Sequence, residues 1–116
     1  MLILRTAATV VLITAGIGCS GSDAPPECTA PETTTSVEIV DFTYGPSCVQ
    51  ATNGDTLQIS NADTTPHTYT VKGTGVDLDL EAESEGTLTL DGLVAGTTYA
   101  ISCTYHPEMG AALKIV

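Results

Sequence analysis

The chain has 116 residues and carries 14 acidic side chains against 3 basic ones, for a formal net charge of −11 at neutral pH. That length supports one domain, and that charge excludes nucleic acid and anionic lipid headgroups as direct partners, because each would be repelled. A 42% hydrophobic content excludes disorder over most of the chain, and the absence of Trp, with only four Tyr and one Phe, suits a small β protein better than a helical bundle.

Residues 1–18 read as an export signal. A single basic residue, Arg5, precedes an apolar run from Thr6 to Ile17, shorter than the ~20 residues that cross a bilayer. Cys19 follows, and residues 20–27 are polar with no hydrophobic period. The pattern resembles a bacterial or archaeal lipoprotein signal, which implies cleavage ahead of Cys19 and a lipid on that cysteine. The alternative is an ordinary signal, with Cys19 discarded or left unpaired. The expected organisation is a signal at 1–18, a polar tether at 19–35 and one domain at 36–116, at the periplasmic or outer face of the cell membrane.

Export places the remaining cysteines where disulfides persist. Cys28 and Cys48 flank the first predicted strand with no histidine or carboxylate at ligand spacing, so they are read as a bridge. A closed loop of about 20 residues adds about 3 kcal/mol in the chain-entropy model. Cys103 is then the odd thiol.

Residues 37–44 are predicted as a strand whose alternation slips near Asp41. Asn53-Gly54 is a tight-turn signal and leads into a strand at 56–60, with Leu57 and Ile59 on one side. Alternation returns at 67–71 and stops at Gly73-Thr74-Gly75. Residues 76–85, if extended, set Asp77, Asp79, Glu81, Glu83 and Glu85 on one face. Such a face must be in water, either protecting an edge strand or steering a basic redox partner. Strands at 86–90, 97–103 and 111–116 complete the pattern, with a turn at Asp91-Gly92. Short strands broken by turn residues indicate an antiparallel sandwich or barrel.

The chemistry is concentrated in Cys103-Thr-Tyr-His106-Pro-Glu-Met109, a thiol, an imidazole and a thioether within seven residues. The second histidine, His67, lies far upstream after Pro66, and Met109 is the only methionine besides the initiator. Soft sulfur with imidazole suits copper, and His₂Cys with a long axial Met is the mononuclear electron-transfer set. Zinc more usually takes four firm ligands, and no orienting group or oxyanion motif supports a Cys-His hydrolase. The bland alternative is a buried cysteine, two surface imidazoles and a gap-filling methionine.

From residue 37 to 116 the sequence resembles the blue-copper, or cupredoxin, family. Cys-x₂-His-x₂-Met is similar to the short ligand loop of amicyanins and some halocyanins, and Asp63-Thr-Thr-Pro-His67-Thr68 is similar to the family's first-ligand segment. The resemblance implies an all-β, Greek-key antiparallel β-sandwich of about seven to eight strands. It implies one copper ion, Cu(I) or Cu(II), held by His67, Cys103 and His106 with Met109 as weak axial ligand. The backbone N–H of Thr68 would donate to the cysteine sulfur. His106 would be the electron port, rimmed by Pro66, Tyr105 and Pro107. The implied role is one-electron transfer between transient protein partners of cytochrome or membrane-oxidoreductase type, by a monomer that is not itself an enzyme. Two rivals are a copper carrier that handles metal in place of electrons, and a metal-free sandwich serving as an adhesion domain.

Overall fold

The computed structural model describes residues 26–116. The export signal, Cys19 and the first part of the tether lie outside those residues. Among the described residues there are ten strands: β1 (Glu32–Thr33), β2 (Ser36–Val40), β3 (Thr43–Gly45), β4 (Cys48–Ala51), β5 (Thr56–Asn61), β6 (His67–Val71), β7 (Asp77–Leu80), β8 (Ser84–Thr89), β9 (Thr98–Ser102) and β10 (Gly110–Ile115). They form a six-stranded sheet ordered β1-β4-β10-β9-β6-β7 and a four-stranded sheet ordered β3-β2-β5-β8.

Period-two burial drives the two sheets together. β2 buries Val37 and Ile39 while Ser36, Glu38 and Val40 face water; β5 does the same with Leu57 and Ile59. Val71, Leu80, Ile101, Leu113 and Ile115 of the other sheet meet them in one core. Each such side chain removed from water contributes roughly 1.5–3 kcal/mol.

The all-β sandwich is as the sequence implies, with finer differences. There are ten strands in place of seven to eight, because β1, β3 and β4 are short pieces with little alternation of their own. The ladders are mixed: β1–β4, β4–β10 and β2–β5 run parallel. Between β2 and β5 the chain passes through the other sheet as β4 before returning, and such a crossover permits a parallel neighbour.

The predicted strand at 37–44 is a hairpin. Asp41 and Phe42 both take left-handed φ, 53° and 59°, and Val40 pairs with Thr43 across them. Two-residue turns of this hand usually need Asn-Gly, because side chains other than Gly, Asn and Asp resist positive φ. The Asp63 carboxylate accepts the N–H of Asp41 at 2.7 Å and of Phe42 at 2.8 Å, which holds the turn.

Residues 76–85 are likewise not one extended ladder. Glu83 takes φ of 54°, and the chain turns there from β7 in one sheet to β8 in the other. Both are edge strands, and all five carboxylates are exposed on that side of the sandwich. At the opposite edge, Cys28 and Cys48 form a disulfide with Cα atoms 5.7 Å apart, and Cys48 pairs with the fully buried Ala112.

Candidate metal centre

The loop before β6 is tied down by Asn61. Its buried amide donates to the carbonyls of Thr65 and Glu81 at 2.9 and 3.0 Å, and its oxygen accepts the N–H of Asp63 at 3.0 Å. This sets Asp63 under His67, whose Nε2 lies 2.9 Å from Asp63 Oδ2. Backbone donation from Phe42, followed by the His67 contact, holds the Asp63 carboxyl below its ordinary range, so the group is a carboxylate and can only accept. In the neutral ring Nε2 of His67 then carries the hydrogen, and Nδ1 keeps its lone pair. That nitrogen is 3.8 Å from Cys103 Sγ, and the whole imidazole is shielded from solvent.

β9 delivers Cys103 and the loop after it delivers His106 and Met109. The N–H of His106 donates to the Cys103 carbonyl at 3.3 Å, and that of Met109 to the His106 carbonyl at 2.9 Å. Two successive turns thus curl the segment, which puts His106 Nδ1 3.5 Å from Cys103 Sγ. Cys103 and Met109 are buried in the core, whereas His106 is half-buried. The donor atoms of His67, Cys103 and His106 all lie within 4.8 Å of one another. Metal–ligand bonds of ~2.0–2.3 Å at tetrahedral or trigonal angles put neighbouring donors about 3.5–4 Å apart. The two sulfur–nitrogen separations match that spacing, so the trio could hold one ion, and its sulfur and imidazole chemistry fits copper.

Thr68 joins the two segments through both its N–H and its hydroxyl. Its N–H points at Cys103 Sγ over 3.4 Å, and its hydroxyl accepts the N–H of Thr104 at 2.9 Å. Its carbonyl accepts the phenol of Tyr44, whose pKa burial pushes far upward. Tyr44 packs edge-on against Tyr69 at 5.5 Å.

The residues named as rim from the sequence, Pro66, Tyr105 and Pro107, are each exposed. Tyr105 leans toward β7, its hydroxyl 2.9 and 3.1 Å from the two oxygens of Asp79, and that bond raises the phenol's pKa. Two further residues belong to the site. Phe42 is 48% exposed, and its ring stands edge-on to His67 at 5.1 Å and to His106 at 4.9 Å. Asp63 is the other. The slip of alternation near Asp41 was the trace of the turn that presents Phe42, while the duty of Asp63 has no local signal.

Comparison with known proteins bears on the fold and on the family. The copper(I) form of an amicyanin mutant superposes with a TM-score of 0.58 at 24% identity, over 76% of this chain and 87% of that one. Amicyanin from Paracoccus versutus gives 0.59 at 21% identity, over 76% and 86%. The reduced state of a further amicyanin mutant gives 0.57 at 24%, over 84% and 94%. At such identities the likeness shows the fold. No curated protein sequence matches this chain. The family model for the cupredoxin-like domain matches residues 7–115, nearly the whole length, and the chain belongs to the cupredoxin family.

Proposed function

We propose that this protein is a type 1 blue copper protein that carries single electrons between redox partners, with His67, Cys103 and His106 as the firm ligands and Met109 as the weak axial one. When bound, copper supplies a one-electron Cu(II)/Cu(I) couple. The chain supplies the rest. Asp63 keeps the proton on Nε2 of His67, the Thr68 N–H faces the Cys103 sulfur, and two sheets fix the segments so that donors need move little. Four donors from the protein leave no open position for a substrate, in keeping with a carrier and not an enzyme.

His106, half-buried with its ring against Phe42, is the proposed electron port, and Pro66, Tyr105 and Pro107 are its proposed rim. So small a rim suits brief encounters with a protein partner, and the acidic edge beside Asp79 suits a partner with basic groups around its own redox centre. Cys19 is the proposed lipid-bearing residue, holding a monomer at the outer face of the membrane. The observation that carries the reading is the convergence of one thiol and two imidazoles at 3.5 and 3.8 Å, with a backbone N–H on the sulfur.

The test is to add Cu(II) to the purified protein. An intense blue colour from thiolate charge transfer, with a reversible one-electron couple, supports the proposal. Colourless copper-bound protein supports the metal-carrier alternative, and failure to take up copper rules out both.

A further inference from the structure

The N-terminal segment joins the domain at the same end as the candidate metal centre. Pro26, the first described residue, borders one cleft with Ser102, Pro107, Glu108, Met109 and Gly110. Two residues on, Cys28 is bonded to Cys48 at the start of β4. Cys48 pairs with Ala112, close to where β10 begins directly after Met109. β1, β4 and β10 are mutually parallel, so all three run away from the ligand loop. The segment therefore reaches the domain beside the ligand loop, and a covalent bond keeps it there. Arrival at the far end of β10 would have put about 20 Å of strand between tether and site.

We infer that the tether holds the His106 end of the domain toward the bilayer, and that the electron partner is a membrane-embedded protein whose redox group lies near the membrane surface. This rests on the proposed anchoring at Cys19. Pro26 is seven positions after Cys19. Seven steps along the backbone cannot span more than about 25 Å. The ligand-loop end thus stays within that reach of the lipid, while the turn at Thr52 after β4 points away from it. Asp79, Glu81 and Glu108 are exposed near this end and are repelled by anionic headgroups over a Debye length of ~8–10 Å. The face therefore stands off the lipid and leaves room for a protein carrying basic groups.

The test couples copper-loaded protein, with Cys19 as its first residue, to a maleimide lipid in phosphatidylcholine vesicles. The comparison protein is Cys19→Ser, Thr52→Cys, coupled at the exposed Thr52 position. The vesicles also carry a reduced viologen on a lipid headgroup, which gives up one electron as Cu(II) becomes Cu(I), read as loss of the blue band. The Cys19-coupled protein is expected to bleach at least tenfold faster. Equal rates, or a faster Thr52-coupled protein, overturn the inference. The mass of the natively exported protein tests the anchor separately: an unmodified Cys19 refutes anchoring there, whereas the rate ratio reports the tether geometry by itself.

Discussion

Oδ2 of Asp63 sits 2.9 Å from Nε2 of His67, and the same carboxylate receives the N–H groups that fold the Asp41-Phe42 turn. One side chain thus orients a buried imidazole and positions the aromatic ring that touches both histidines. Asp63→Ala leaves the His67 N–H buried without a partner, which costs roughly 1–3 kcal/mol. Copper affinity should fall about ten- to hundredfold, the usual loss when a ligand's outer hydrogen bond is removed. Competition against a chelator of known affinity checks the second figure, and denaturant unfolding of the metal-free protein checks the first. Asp63→Asn, which retains acceptor oxygen, should lose less of both.

Phe42 is exposed, yet its ring packs on His67 and His106. Phe42→Ala should change stability by less than about 1 kcal/mol, since little buried area is lost. It should slow electron self-exchange several-fold by removing apolar rim around the port. Line broadening in mixtures of oxidised and reduced protein measures this rate. An unchanged rate would place the encounter surface elsewhere.

The hydroxyl of Tyr69 is buried and has no hydrogen-bond partner among the described residues. Tyr69→Phe removes that group with little change of shape, and should stabilise the protein by about 1 kcal/mol or leave it unchanged. Burial also pushes the Tyr69 pKa up from its ordinary value. A raised folded pKa means that this contribution is complete below the unfolded value near ~10 and is lost as pH rises above it. The variant's stability should therefore fall less steeply than the parent's above about pH 10, as thermal melts across that range would show.

The Cys28–Cys48 bond closes a loop of sequence separation 20. Cys28→Ser with Cys48→Ser should lower stability by about 3 kcal/mol. Neither residue is among the proposed ligands, so the blue band should persist in the folded variant. Denaturant unfolding and visible absorption test the two parts.

Much of this was readable in the sequence where the signal is local. The strand at His67–Val71 shows alternation in His67-Thr-Tyr-Thr-Val71, and Cys103, His106 and Met109 declare themselves by residue type and spacing. β4 escaped because Cys48, Val49 and Ala51 are buried on both of its faces, which erases the period of two. The β2–β3 turn escaped because Asp41 and Phe42 carry none of the glycine that marks such a geometry. Their cause, the Asp63 carboxylate, lies more than 20 residues away in the chain. Residues 76–85 kept a perfect acidic alternation through a turn that only the change of sheet at Glu83 explains.

The donor set has unequal reach along the chain. Cys103 and His106 are three residues apart, whereas His67 is 36 residues from the cysteine. An unfolded chain offers the nearby pair at a smaller loop-closure cost than the distant imidazole, which the pairing of β6 with β9 brings to the site. For the proposed copper centre this spacing predicts an order of assembly: weak capture by one short segment, then locking when the sheet closes over it. A chain that misfolds between those strands would hold its ion loosely enough to surrender it.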